Sequence, residues 1–210
     1  MIDETTAEKF EQYMKKYPAL YQHLAEVVTT YAAHDAPVII DLGMGPGLLS
    51  KELHLQMPKA TIIGVDPNKK MLDLAQHNAC FDTFEAKVGS SENIPIDDLS
   101  VDIVVSRFSL TYWKDPVKSF SEIFRVLKTN GYFIVEVINK EFPLWRLLLI
   151  KIHMLLNKAG PDVTKYHVDV YKDAYGLDEV IQFFEKAGFS IVKKQGKPRE
   201  WKFLVVGLKK

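Results

Sequence analysis

The chain has 210 residues, 47% of them hydrophobic and 26% charged, a composition typical of a globular protein with a sizeable apolar core. Its 27 lysine and arginine residues balance 27 aspartate and glutamate residues, which argues against the broad basic surface that a nucleic-acid partner needs. The single cysteine, Cys80, excludes an intrachain disulfide and a cysteine-based metal site, and it fits a reducing compartment, so we expect a cytoplasmic protein.

The N-terminal segment, 4–33, has a helical pattern, and we expect two helices broken at Pro18. Short apolar runs rich in β-branched residues then alternate with helical patterns. The strands are predicted at 38–42, 61–66, 83–89, 101–109 and 132–138, and the helices at 47–57, 68–79 and 115–128. This alternation predicts right-handed crossovers and a mostly parallel, doubly wound α/β sheet. Cys80, just after the second of these helices, is expected to fill a small buried space.

The C-terminal part adds a helix at 177–188 and two strands, FSIVKKQ and KFLVVGLKK. Their link, GKPRE, is too short for a parallel crossover, so the pair should be antiparallel. Residues 139–176 interrupt the pattern after the fifth strand, at the sheet edge where ligands bind in such folds. We therefore predict one domain over 1–210 with a seven-stranded sheet, a helical cap over 1–35 and a lid or substrate insert over 139–176.

The loop DLGMGPG, from Asp41 to Gly47, follows the first strand directly. Its glycines would let a ligand approach the backbone closely. The spacing is not that of a dinucleotide loop, because Leu48 stands where the third glycine belongs, and no lysine follows as in a P-loop. A helix N-terminus favours a phosphate, but a carboxylate at Asp41 would repel one. The loop therefore favours a ligand with an amino group or positive charge.

Asp66 lies at the end of the second strand, 25 residues after Asp41. A carboxylate at this position can accept hydrogen bonds from both hydroxyls of a ribose. The alternative is that Asp66 caps the next helix, with Pro67 at its first position. Both roles can hold together.

Five ordered segments together resemble the class I S-adenosylmethionine-dependent methyltransferases. The segments are VIIDLGMGPG, GVDPNKKMLDLA, VGSSENIPI, DIVVSRFSLTYW and EIFRVLKTNGYFIV. The chain is most similar to the small-molecule branch that includes the ubiquinone- and menaquinone-biosynthesis enzymes. The resemblance covers residues 36–138 well and 177–208 by pattern, and it implies a Rossmann-like sheet and S-adenosylmethionine as cofactor.

The resemblance also implies a role for each matching position. By this resemblance, the methionine part of the cofactor would contact Asp41, Gly43, Gly45 and Gly47, and the ribose would contact Asp66. Pro67 and Met71 would lie at the adenine. The residues beside the transferring methyl group would be Arg107, Phe108 and Ser109. One departure concerns the adenine segment, where the family usually has Gly-Asp-Ala. Here Ser90 and Ser91 follow Gly89, and a serine hydroxyl can accept a hydrogen bond only without charge and with shorter reach. Alternatively, the two serines start a turn or cap a short helix.

The sequence defines the catalytic residues less well than the cofactor-binding residues. The methyl group of the cofactor is already activated, and a general base is needed only for an acceptor that keeps its proton at neutral pH. The candidates that the sequence offers are Tyr112, His153 and His167. Tyr13, Tyr17 and Tyr21 recur at helical spacing and could form an aromatic wall over the cofactor, or simply pack a capping helix. No metal site is expected.

The most apolar stretch, PLWRLLLIKIHMLL at 143–156, is too short to span a bilayer. It is expected to act as a lid over an apolar acceptor, or else as a dimer face or a membrane-surface contact. We therefore predict a methyltransferase that acts on a small apolar or aromatic molecule and releases S-adenosylhomocysteine. The alternatives are a cofactor-binding regulator without transfer activity and an RNA or protein methyltransferase; a homodimer is compatible with each.

Overall fold

The computed structural model describes residues 4–210, and the side chains of all of these except Glu4, Leu144, Tyr166 and His167. A seven-stranded sheet forms its centre, with the strand order β3-β2-β1-β4-β5-β7-β6. The strands are β1 (Val38–Leu42), β2 (Thr61–Asp66), β3 (Phe84–Val88), β4 (Val101–Arg107), β5 (Leu127–Ile138), β6 (Ser190–Gln195) and β7 (Lys202–Leu208). Only β7 runs antiparallel to its two neighbours, so the predicted Rossmann-like sheet is confirmed.

Eight helices within residues 4–210 cover the sheet. They are α1 (Glu4–Met14), α2 (Ala19–Thr29), α3 (Leu48–Gln56), α4 (Lys69–Asn78), α5 (Pro116–Val126), α6 (Leu144–Leu156), α7 (Pro161–Asp169) and α8 (Leu177–Ala187). The predicted helix bounds between residues 47 and 188 agree within two residues. Local capping explains this accuracy: Asp115 accepts a hydrogen bond from the Lys118 amide, Pro116 occupies the first turn of α5, and Gly188 ends α8 with a left-handed φ of 94°.

The central strands β1, β2, β4 and β5 are largely buried between the helical layers, whereas the edge strands β3 and β6 are partly exposed. Along β1, Ile39 packs with residues of α2 and α3, whereas Ile40 packs with residues of α5 and α8. Side chains alternate between the two faces, so Asp41 points to the same layer as Ile39. This alternation places the Asp41 carboxylate against α3.

Two local predictions were wrong. The strand β5 begins at Leu127, not at residue 132, because α5 leads directly into the strand and Asn130-Gly131 lies inside it as part of an irregularity in register. Cys80 is exposed, because its neighbour Ala79 occupies the buried position at the end of α4. His54 of α3 is half-buried and stacks on Phe81 with ring centroids 3.8 Å apart.

Residues 139–176 contain α6 and α7. Met154 of α6 and Val163 of α7 pack into the same core as Tyr13 and Tyr21 of the first two helices. The described part of the chain contains no helix with the length and apolar character needed to cross a membrane.

Candidate functional site

The glycine loop leaves the carboxyl end of β1 through three residues in the left-handed region, with φ of 71° at Gly43, 53° at Gly45 and 74° at Gly47. A Cβ on Gly43 would lie 2.5 Å from Ser109 Cβ, and one on Gly47 would lie 2.9 Å from the Ala75 backbone. A Cβ on Gly45 would meet nothing within 4 Å. The middle of the loop therefore faces open space, and its flanks are held by close contacts.

Asp66 holds the loop and the start of α4 at once. Its Oδ2 accepts a hydrogen bond of 3.0 Å from the Gly45 amide, and its Oδ1 accepts one of 2.9 Å from the Asn68 amide. The N-cap of α4 is Asn68, whose side chain accepts from the Lys70 amide, so the alternative prediction of Asp66 as the N-cap was wrong. Pro67 lies before the helix and is exposed.

Asp41 is a buried carboxylate with one strong donor. It is 2% exposed, and the Ser50 hydroxyl in α3 donates a hydrogen bond of 2.7 Å to its Oδ2. Burial raises the pKa of Asp41 to about 7; Asp66 contributes to the increase, and the Ser50 hydrogen bond opposes it. Burial also raises the pKa of Asp66. The site thus places two carboxyl groups of raised pKa at the ends of neighbouring strands, where a cation would favour their ionised forms.

Arg107 lies at the end of β4 in an ion pair with Glu136 of β5, at 3.0 Å from Nε to Oε2. Lys202 contacts the other oxygen of Glu136. The guanidinium carbon of Arg107 lies 4.6 Å from the Tyr21 ring centroid and 4.1 Å from the Phe108 ring centroid. Its positive charge lowers the pKa of Asp41, so Arg107 belongs electrostatically to the same site. Its Nη2 is buried without a hydrogen-bond partner among the described residues.

Serine side chains connect the loop after β4 with β1. The Ser106 hydroxyl donates a hydrogen bond of 2.8 Å to the Leu42 carbonyl and lies 2.5 Å from the Ser109 hydroxyl. Trp113 Nε1 donates to the same Ser109 oxygen at 3.1 Å. Our sequence analysis missed Ser50 and Ser106, and the signal that could have found them is a serine at an otherwise apolar, buried position.

The residues expected to contact the adenine lie on different elements of the structure. Met71 is buried on α4. Ser91 is also buried, and its oxygen accepts a hydrogen bond of 2.9 Å from the Ser119 hydroxyl of α5. Ser90 makes a side-chain hydrogen bond to Glu92, which helps to lower the pKa of Glu92. A contact of either serine with the adenine remains a prediction.

The catalytic candidates differ in their surroundings. Tyr112 is 50% exposed in a short 3₁₀ turn at Leu110–Tyr112. His153 is exposed on α6, and its Nε2 lies 2.9 Å from the Tyr17 hydroxyl. The side chain of His167 lies outside the described residues. Among the described residues, no three histidine, cysteine or acidic side chains lie together in a group that could hold a metal ion.

Pro18 splits the predicted tyrosine stripe. The Tyr17 hydroxyl donates to the Tyr13 hydroxyl at 3.3 Å and contacts α6, whereas Tyr21 lies against Arg107. Burial and the nearby Asp41 charge raise the pKa of Tyr21 to about 12. Of the three tyrosines, Tyr21 is therefore the one that the structure brings to the Asp41 carboxylate.

Residues 40–135 match the family described as Methyltransferase domain. An uncharacterized methyltransferase of Schizosaccharomyces pombe is 35% identical over 101 residues, which are 48% of this chain and 39% of that protein. The 2-methyl-6-phytyl-1,4-hydroquinone methyltransferase 1 of rice is 24% identical over 160 residues, 76% of this chain and 43% of that protein. The chain thus spans about two fifths of the length of these curated relatives.

A solved structure, that of a candidate S-adenosyl-L-methionine-dependent methyltransferase of Methanococcus maripaludis, superposes with a TM-score of 0.75 at 26% identity, covering 99% of this chain and 93% of that one. The glycine loop and its two carboxylates, Asp41 and Asp66, lie within the segment that matches the methyltransferase domain. In sequence over 40–135 and in fold, the chain is therefore similar to S-adenosylmethionine-dependent methyltransferases.

Proposed function

We propose that the protein transfers the methyl group of S-adenosylmethionine to a small apolar or aromatic acceptor, in line with the breaking carbon–sulfur bond, and releases S-adenosylhomocysteine. The observation that carries this proposal is the pair of buried carboxylates, Asp41 and Asp66, beside the open Gly45. The bound cofactor supplies a sulfonium methyl group that needs no further activation. The residues of this chain bind and orient the two molecules, which is where the rate enhancement arises.

The residues fit the methionine end of the cofactor. Desolvation opposes the charge on Asp41, so a cationic group beside it favours the ionised carboxylate, whereas a phosphate would meet a buried acid. The ammonium group of the methionine part is such a cation. Gly43, Gly45 and Gly47 carry no side chains that would keep this part of the cofactor away from the backbone.

The contacts of Asp66 and of the residues around it support the proposed ribose and adenine sites. Each Asp66 oxygen accepts one backbone N–H, which leaves about two of the roughly four acceptor positions of a carboxylate for ribose hydroxyls. We assign Pro67 and Met71 to the adenine, with Ser90 and Ser91 at its edge. Pro67, directly after Asp66, is exposed, so it is accessible to a ligand that extends from the ribose site along this side of the loop.

The loop after β4 would face the transferring methyl group. Ser109 packs against Gly43, so this loop lies beside the methionine part of the proposed cofactor site. Phe108 has a left-handed φ of 55°, and its ring lies 5.3 Å from the Trp201 ring and against Arg107. These aromatic side chains supply an apolar wall that suits an apolar acceptor and excludes water from the transfer.

Two observations support the acceptor class. Residues 139–176 follow β5 at the ligand-binding edge of the sheet, and α6 in this segment is rich in leucine and isoleucine. The rice relative is named for a phytyl hydroquinone, an apolar aromatic molecule. If the acceptor is a phenol, Tyr112 or His153 could serve as general base; His167 is the third candidate.

Calorimetry with S-adenosylmethionine, S-adenosylhomocysteine and NAD tests cofactor binding. We expect both sulfur compounds to bind and NAD not to bind. Asp66→Ala should lower the affinity by about tenfold to a hundredfold, because one charged acceptor is lost. The matched control, Asp73→Ala on the exposed side of α4, should leave the affinity unchanged. Binding of NAD alone would overturn the proposal.

Methyl transfer is tested with labelled cofactor and a panel of prenylated hydroquinones, simple phenols, polar amines, RNA and a protein mixture. We expect label in the apolar aromatic compounds. Label in RNA or protein alone would contradict the acceptor class. Tight cofactor binding without transfer to any acceptor would favour a regulatory role instead.

A further inference from the structure

Helix α6 has two apolar faces, and the described structure covers only one of them. Leu147 and Met154, 8% and 1% exposed, face the protein. Six large side chains face outward with exposures of 46–76%, namely Trp145, Leu148, Leu149, Ile152, Leu155 and Leu156. These six residues, the α6 stripe, follow the spacing of one helical face. A contiguous exposed apolar face of this size marks an interaction site, so the α6 stripe is a surface for a binding partner.

The two charged residues of α6, Arg146 and Lys151, are both positive. At about 100° per residue, Arg146 falls on one flank of the stripe and Lys151 on the other. Lys158 follows the helix, and the sequence from Phe142 to Pro161 contains no aspartate or glutamate. A cation on each side of an apolar stripe matches a partner that offers an apolar layer beneath anionic groups.

Acidic groups from the packed neighbours do not cancel this charge. Asp162 of α7 lies 3.9 Å from the Lys9 ammonium group, and Asp169 is paired with Lys172 at 2.5 Å. Lys151 lies close enough to Asp169 to lower its pKa further, but Lys172 makes the larger contribution. Arg146 stacks near the Trp145 ring at 5.1 Å, which keeps this cation at the edge of the apolar stripe.

A second copy of the chain fits this surface less well than an anionic membrane. A two-fold interface would bring the same face of α6 against itself. The flanks of the two helices would then bring together only cations, because neither helix carries an acid, and like charges at an interface oppose association. Lipid phosphates would pair with the same two cations. The 13 residues of α6 span only about 20 Å, so the helix would lie in the membrane plane and would not cross it.

We infer that α6 docks the protein on an anionic lipid surface. The α6 stripe enters the boundary between headgroups and acyl chains, and Arg146 and Lys151 contact lipid phosphates. The inference rests on the surface of α6 and does not depend on which acceptor is methylated.

Co-sedimentation with vesicles of phosphatidylcholine, with and without phosphatidylglycerol, tests the inference. We expect binding to the anionic vesicles that weakens as salt is added. The double variant Leu148→Glu/Leu155→Glu should abolish binding, whereas Leu55→Glu, at a 62% exposed leucine of α3, should retain it. Thermal unfolding of each variant checks that the fold is kept.

A second set of variants tests how much the two cations contribute to vesicle binding. Arg146→Gln/Lys151→Gln should weaken binding to anionic vesicles about 25-fold, from roughly fivefold for each cation. Lys194→Gln/Lys197→Gln, two exposed lysines near the C-terminal hairpin, should change it little. Absence of vesicle binding by the wild-type chain would overturn the inference. So would a dimer in sedimentation velocity that Leu148→Glu/Leu155→Glu dissociates without any vesicle binding, because the stripe would then be a dimer face.

Discussion

The Ser50 hydroxyl donates a 2.7 Å hydrogen bond to the buried carboxylate of Asp41. Ser50 itself is fully buried in the first turn of α3, directly after the glycine loop. The hydrogen bond lowers the pKa of Asp41 and thereby offsets part of the effect of burial. The contact therefore helps to keep ionised the acid that we assign to the methionine end of the cofactor.

Ser50→Ala should raise the pKa of Asp41 further and weaken cofactor binding at pH 7. We expect a loss of stability of about 1 kcal/mol, since a buried acceptor loses its donor. Calorimetry and urea unfolding measure the two effects. Ser121→Ala, at an exposed serine of α5, is the control and should change neither by a comparable amount. An unchanged cofactor affinity in Ser50→Ala would argue against the role of Asp41 in binding.

Asp41 should make the chain without ligand less stable as the pH rises from about 4 to 7. Its pKa is raised to about 7 in the folded protein, against 3.8 when it is free, so the folded state holds a proton that the unfolded state loses in this range. The contribution is fully present below pH 4 and is lost as the pH passes through 7; its upper bound is about 4 kcal/mol. Urea unfolding of the wild type and of Asp41→Asn should show a difference in unfolding free energy with this pH dependence. A difference that is constant with pH would contradict the raised pKa.

Cofactor binding should be linked to the same proton. If the ammonium group of the cofactor requires an ionised Asp41, binding releases a proton below pH 7, and the affinity falls up to tenfold for each pH unit below that value. Calorimetry in buffers of different ionisation enthalpy measures the proton released. Asp41→Asn should bind more weakly and release none at that step. Equal proton release by both proteins would place the titrating group elsewhere.

The three glycines of the loop should respond differently to alanine. Gly43→Ala should unfold or strongly destabilise the protein, because its Cβ would lie 2.5 Å from Ser109 Cβ. Gly45→Ala faces only the cost of a left-handed φ, about 1–2 kcal/mol. Gly188→Ala is its matched control, with a left-handed φ of 94° and the Phe124 ring 3.4 Å from the added Cβ.

The two matched variants, Gly45→Ala and Gly188→Ala, should lose similar stability in thermal unfolding, but only Gly45→Ala should lose cofactor affinity. Equal affinities would show that the open space at Gly45 is not the cofactor site.

Glu136→Gln should destabilise the protein by about 3–5 kcal/mol, because it leaves the buried Arg107 cation with a weaker partner. The matched control is Asp35→Asn, whose exposed pair with Lys59 should contribute less than about 1 kcal/mol. Denaturant unfolding measures both. Similar small losses in the two variants would mean that the Arg107–Glu136 pair contributes little to the stability of the site.

Much of the fold could be predicted because its signals are local. The alternating strand and helix patterns predicted the seven strands, and the short GKPRE link predicted that β6 and β7 pair in antiparallel orientation. The start of β5 was missed because an Asn-Gly sequence usually ends an element, whereas here it forms an irregularity within a strand. The exposure of Cys80 could not be predicted either, since it depends on which of two adjacent small residues turns inward at the end of α4.

The contacts that organise the site join residues far apart in the chain. Tyr21 lies against Arg107, Arg107 pairs with Glu136, and Ser106 bonds to the Leu42 carbonyl. The sequence already determined which residues lie at the ends of β1 and β2, because an apolar strand that ends in an acid, with or without a glycine loop after it, can be recognised from the local sequence. Only the tertiary structure decided their partners and the pKa of Asp41, because desolvation and long-range hydrogen bonds exist only once β1, β4, β5 and the helices over them have packed together.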